Sequence, residues 1–424
     1  MTLSGNRASV DGEPPLLPGA RTALAWLKQR PGDFVVEEVP AYPLADTGTH
    51  LWLQVFKRGL TTRALIERLA RALDRPARAF GIAGLKDARA DTLQWVTIEH
   101  PPADWEARLA AAEGALQPQG PHWRVRAARW HRTRLKRGQS HGNRFQVRLR
   151  GLSTQQRAAA PARLEELVRR GAPNAYGPQR FGHRGDTAAA GAALVAGDAT
   201  RFLDVVLGSP RPGLDTGTIL VAREAYAADD LEAARGAWPR DHAFERRLLG
   251  ALAGGRPPED VLAGADPRDL PFYLHAWQSA GFNAVLAARL AADRLALEDG
   301  DLALRLPGGR KSFEVPEASL EQARAEALEI APTGPLLGPD MPSPSGAVGE
   351  LESEVLARSG LGSTAALPPA LARTAPGGRR ALLAKVMDAG VSEQEEVLEL
   401  RFHLAKGCYA TSIVCALRLD EVNG

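Results

Sequence analysis

Hydrophobic and polar positions recur with two different periods along this chain, and they divide it into strand-rich ends around a helix-rich middle. After Pro31-Gly32, Asp33–Val39 reads as a short strand. His50–Phe56 alternates, with Leu51, Leu53 and Val55 on one face, as a half-buried strand does. Thr61 or Thr62 then caps a helix whose apolar face is Leu65, Leu69 and Leu73, stopped before Pro76. Two apolar runs, Ala79–Ala83 and Trp95–Ile98, predict strands joined by a polar loop, Gly84–Gln94. Trp105–Leu116 reads as a helix. Asn143–Arg150 reads as a strand with Phe145, Val147 and Leu149 on one side and Arg144, Gln146, Arg148 and Arg150 on the other.

From Thr154 helical spacing dominates to about Ala292 and includes the long segment Phe272–Ala292. Asn174–Asp186 interrupts it as a glycine-punctuated polar loop. Leu302–Leu306 and Ser312–Val315 are strand-like, and Pro332–Gly349, rich in Pro, Gly and Ser, is expected to be a loop. Alternation returns in Val397–Leu404, and after Gly407 either Thr411 or Ser412 is expected to cap a last helix. Strand-rich ends around a helical middle predict a helix-rich region, residues 171–375, inserted into a domain built from 1–170 and 376–424.

Composition narrows the class. The chain has 424 residues, long for one core, with 44% hydrophobic and 24% charged residues, the proportions of a globular protein. No run is long enough to span a membrane, and the N-terminal stretch has no apolar core of signal-peptide length, so we expect residence in the cytoplasm. Two cysteines, Cys408 and Cys415, fit a reducing compartment. Net charge is only +3 but unevenly placed: residues 121–150 hold ten Lys/Arg and no Asp/Glu. A basic strand beside a basic, Trp-containing segment points to nucleic acid, where cations follow phosphates and aromatics stack on bases.

The polar loop carries the candidate chemistry. It offers a carboxylate, cations, a hydroxyl and an amide: Asp87, Lys86, Thr92 and Gln94 among them. Lys86 follows Gly84 too closely for a phosphate-binding P-loop, and no dinucleotide fingerprint, zinc pattern or G-x-S-x-G elbow occurs. What remains is a carboxylate nucleophile or base supported by cations and aromatics.

The loop Gly84-Leu85-Lys86-Asp87, with Ala90, Thr92 and Gln94 at their spacing, resembles the signature of the TruD family of tRNA pseudouridine synthases. Lys28–Glu37, Gly142–Phe145, Asn174–Gly182, Tyr273–Leu290, Thr333–Glu350 and Gly407–Ser412 look like further motifs of that family, in its order. The resemblance implies an α+β fold: a pseudouridine synthase catalytic domain, a mixed, mainly antiparallel sheet with helices, interrupted by a helix-rich α/β TRUD domain. It implies isomerisation of uridine 13 of tRNA, with tRNA as partner, neither metal nor organic cofactor, and a chain expected to act as a monomer. It assigns Asp87 as the nucleophile, with Lys86 and Lys28 as the cations that could keep it ionised. Phe34, Asn143 and Tyr409 match positions lining the substrate pocket, Gln94 matches another, and Phe145 matches a family aromatic that could equally be core. Tyr409 departs from the more usual Phe. Arg144, Arg148, Arg134 and Lys136 are the candidate contacts to the RNA backbone. The rival reading is a non-catalytic RNA-binding or RNA-chaperone protein using the same basic cleft.

Overall fold

The computed structural model describes residues 16, 20–30, 32–44, 46–88, 90–114, 120–361 and 369–422. The N-terminal stretch read above, and the end of the helix expected to reach Leu116, lie outside the described residues. The chain is α+β and forms two compact units, one of residues 18–172 with 384–424, the other containing residues 173–383. Among the described residues, no helix is long and apolar enough to cross a membrane.

The first unit is built on β1 (Phe34–Pro40), β2 (His50–Arg58), β3 (Phe80–Ile82), β4 (Asp91–Glu99), β5 (His122–His131), β6 (Ser140–Leu149), β7 (Met387–Gln394) and β8 (Val397–Ala405). They form one sheet in the order β7-β8-β6-β1-β4-β2-β5, with β3 on β4. Only the pairing of β1 with β4 is parallel, so the sheet is mixed and mainly antiparallel. Helices α1 (Ala20–Ala25), α2 (Thr62–Leu73), α3 (Trp105–Gly114), α4 (Thr154–Arg170) and α5 (Ala410–Ala416) complete it.

The α2 helix forms as its sequence dictates. Thr61 caps it by accepting from the Ala64 N–H, and Leu65, Leu69 and Leu73 are fully buried against Leu51, Leu53, Val55, Val96 and Ile98. Each such leucine contributes about 1.5–3 kcal/mol of burial. At the far end, the expected cap on α5 is not made: Tyr409 is the N-cap residue, while Thr411 and Ser412 lie inside the helix.

Strand β4 starts at Asp91, so the polar loop is shorter than its sequence suggests. Asp91–Leu93 pair with Val35–Glu37 on one edge, while Thr92–Glu99 pair with β2 on the other. Backbone pairing on two sides overrides the polar side chains. The β1 pairing ends at Leu93 and the β3 pairing begins at Val96, so one edge of β4 is shared between two strands with a gap between them. The residues joining β3 to β4 pass this gap.

In the second unit the helix Pro271–Ala291 packs on Thr187–Ala196 at Gly191, where a Cβ would lie 2.2 Å from the Tyr273 carbonyl oxygen. A four-stranded sheet runs Gly378–Ala381, Ile330–Leu336, Asp301–Arg305, Phe313–Val315. The expected loop Pro332–Gly349 is therefore partly strand, and Gly346–Arg358 begins a helix. Pro332 has no N–H to donate, but its carbonyl accepts from Leu382.

The close approach of β6 to β8 makes a sharp test of this register. A Cβ on Gly142 would lie 1.9 Å from the Leu404 carbonyl oxygen, so Gly142→Ala should destabilise the protein by about 1–3 kcal/mol in thermal unfolding. An unchanged melting temperature would contradict the pairing.

Candidate active site

The gap on the edge of β4 leaves one backbone donor without a strand partner. Glu38, buried at 1% exposure, accepts from the Trp95 N–H at 3.1 Å. Its other carboxylate oxygen pairs with Lys86 Nζ at 2.9 Å, and the same ammonium donates to Asn143 Oδ1 at 2.8 Å. Glu38 and Asn143 are direct cross-strand partners, so β1 and β6 present both to the loop.

Three further side chains, Thr62, Gln94 and Lys57, fasten the loop. The Lys86 N–H donates to Thr62 Oγ1 at 2.8 Å. Gln94 donates to the Gly84 carbonyl at 2.7 Å and accepts from Thr62 Oγ1 at 2.9 Å. Lys57, fully buried, donates to the carbonyls of Leu60 and Asp87, each at 2.8 Å, with the Lys86 carbonyl at 3.4 Å. Burying each of these polar groups without a partner would cost roughly 1–3 kcal/mol, so the contacts hold the backbone in place.

The one carboxylate of the loop, Asp87, stays 52% exposed and accepts from Lys28 Nζ at 2.8 Å. Lys28 has left-handed backbone (φ 55°), and its ammonium also lies 4.5 Å from the centre of the Phe34 ring. Phe34 meets Phe145 edge to face at 6.1 Å, and Phe145 in turn lies 5.5 Å from Phe402. Phe145 thus packs in the sheet's aromatic layer beside Phe34. Tyr409 stands at the N-cap position of α5, five residues beyond Leu404, which pairs with Asn143.

The sequence-derived candidates therefore divide. Asp87, Lys28, Lys86, Asn143 and Phe34 converge on one loop. Asp87 pairs with Lys28, while Lys86 points inward to Glu38. Gln94 is fully buried with its amide taken up by Thr62 and Gly84, so it braces the loop. Arg144 and Arg148 project from the sheet face opposite Asn143 and Phe145; Arg148 pairs with Glu399 at 2.9 Å. There it borders a polar cavity of about 460 Å³ with Arg30, Arg150 and Arg401. Arg134 is bonded to the carbonyls of Arg78 and Phe80, and Lys136 is exposed on the adjoining turn.

Sequence reasoning missed Lys57 and Glu38, and the signal for both was available. Lys57 continues the alternation Leu51, Leu53, Val55, and Glu38 continues Phe34, Val36. A charged residue on the inward face of an apolar strand must have buried partners.

The family model for tRNA pseudouridine synthase D (TruD) matches residues 20–416. A protein named tRNA pseudouridine synthase D from Geobacter sulfurreducens is 38% identical over 400 residues, 94% of each chain. One of the same name from Syntrophotalea carbinolica is 36% identical over 400 residues, 93% of this chain and 96% of that one. The crystal structure of a protein assigned to TruD in Methanosarcina mazei superposes with a TM-score of 0.74, over 92% of this chain and 93% of that one. At 24% identity, that likeness concerns the fold alone.

Burial pushes the Lys57 ammonium down to about 8, against a smaller opposing pull from Asp87. The folded state therefore releases this proton at lower pH than the unfolded chain, whose lysine titrates near 10.4. Below pH about 8 both states are protonated and the burial cost is fully felt; between about 8 and 10.4 it is relieved. Urea unfolding of wild type and Lys57→Met should show the stability difference moving toward wild type across that window, by on the order of 3 kcal/mol at most. A pH-independent difference would mean that Lys57 is not buried as a cation.

Proposed function

This chain belongs to the TruD family of tRNA pseudouridine synthases, and we propose that it converts uridine 13 of tRNA to pseudouridine with Asp87 as nucleophile. In that reaction the bond from C1′ to N1 of uracil breaks, the base turns, and a bond from C1′ to C5 forms. C5 gives up a proton and N1 gains one, so no oxidant or reductant is consumed. A covalent adduct to a carboxylate divides this exchange into two easier steps.

The observation that carries the proposal is the presentation of Asp87. Lys57 holds its carbonyl, Thr62 holds the N–H of Lys86 before it and Gln94 the carbonyl of Gly84, while its carboxylate faces outward beside Lys28. A nucleophile held on a braced loop reaches its target without a further entropic cost. Lys28 Nζ, 2.8 Å away, places a positive charge against that carboxylate. Phe34 and Tyr409 would wall the base, and Asn143, oriented by Lys86, would meet its polar edge or the ribose. The exposed cations Arg132, Lys136 and Arg137 lie on a turn whose Gly138 N–H donates to the Ala83 carbonyl at 2.7 Å, next to the loop. They would meet phosphates of an RNA bound at the loop. We further propose that residues 171–375 form an inserted TRUD domain and that the protein acts as a monomer in the cytoplasm.

Asp87→Asn should bind tRNA nearly as wild type does and form no pseudouridine, measured by site-specific mapping of the modified base. Turnover near wild type would remove Asp87 as nucleophile, and a wild type that binds tRNA without modifying it would favour the RNA-chaperone reading. Affinity should also fall steeply with salt, and Lys136→Ala should reduce the slope of log K against log salt by about 1. A flat response would place the RNA elsewhere.

A further inference from the structure

One side chain of the loop is used by neither the core nor the ion pairs. Leu85 is 69% exposed, so most of its apolar surface contributes nothing to the fold, where full burial would yield roughly 1.5–3 kcal/mol. Its position is nevertheless fixed. On one side the Gly84 carbonyl accepts from Gln94 at 2.7 Å; on the other the Lys86 N–H donates to Thr62 at 2.8 Å. An exposed leucine held by clamped peptides on both sides, two residues before Asp87, is a rigid apolar projection beside the reacting group.

Its surroundings indicate what would meet it. Ala83, two residues earlier, accepts from Gly138 on the turn that carries the exposed Arg132, Lys136 and Arg137. The Gly138 carbonyl in turn accepts from Lys406 at 2.9 Å. An apolar projection flanked by cations matches a polyanion with apolar faces inside it, which is a stacked nucleic acid. We propose that Leu85 is a wedge that enters the base stack of the RNA at the place vacated by the target uridine and keeps that nucleotide extruded toward Asp87. This rests on the reaction proposed above. Extruding a base costs about a few kcal/mol of stacking, and an aliphatic side chain inserted between bases recovers part of it by its own burial.

The test compares Leu85→Ser and Leu85→Met on two RNAs: a folded tRNA transcript and a short unstructured oligoribonucleotide with the same sequence around the target. Because the side chain is exposed, both variants should melt as wild type does. Leu85→Ser should lose about 10- to 100-fold in kcat/KM on folded tRNA, roughly the worth of one buried leucine, and less than two-fold on the oligonucleotide. Leu85→Met, still long and apolar, should retain most activity on both. With 2-aminopurine next to the target, the fluorescence rise on binding wild type to folded tRNA should be lost in Leu85→Ser. Equal losses on the two RNAs, or none on either with wild type active, would overturn the wedge. Wild-type protein that forms no pseudouridine in tRNA would instead overturn the reaction on which it rests.

Discussion

The burial of Lys86 against Glu38 is the constraint on which this site depends. Glu38 is 1% exposed and the Lys86 side chain 12%, so removing either partner would strand a charge at a cost of about 3–5 kcal/mol. Glu38 cannot turn away, because its second oxygen satisfies the Trp95 N–H left open between β1 and β3. With Lys86 committed inward, the next side chain along the loop faces out. Asp87 emerges beside Lys28, and Asn143 takes its orientation from the same ammonium that neutralises Glu38.

Strength and function separate in this arrangement. The buried pair and the carbonyls gathered by Lys57 hold the loop, whereas the Lys28–Asp87 pair is half-exposed and worth about 0–1 kcal/mol to stability. Its value lies in orientation and charge. Lys28 reaches Asp87 from a left-handed backbone conformation that costs a non-glycine residue about 1–2 kcal/mol. Strain beside the carboxylate and rigidity beneath it are the pattern of a site prepared in advance of its ligand.

Legibility followed the range of the forces involved. The cap at Thr61 and the apolar stripe of α2 are local, and they appear in the structure where the periodicity puts them. Asp91–Gln94 looked like loop because its side chains are polar, yet pairing with β1 and β2 makes it strand. Pro332–Leu336 looked like loop because of Pro332 and Pro335, yet neighbours on both edges make it part of a central strand, Ile330–Leu336. Thr411 or Ser412 is the expected cap of a helix whose N-cap position Tyr409 occupies. In the two strands distant backbone chose the element over nearby composition.

The sequence by itself determined the α+β class, the family through its ordered motifs, and the loop that carries Asp87, because these reside in residue identity and spacing. Only the tertiary structure decided that Lys28, rather than Lys86, pairs with that carboxylate. Lys86 is its neighbour in sequence and Lys28 lies 59 positions away, yet Lys28 makes the contact. Adjacent side chains on an extended loop point apart, and a buried carboxylate on β1 claims the nearer lysine. The same folding sent Arg144 and Arg148 to the reverse face of the sheet and turned Gln94 from a candidate substrate contact into a brace. Those assignments belong to sheet register and burial, which bring together residues that no local pattern associates.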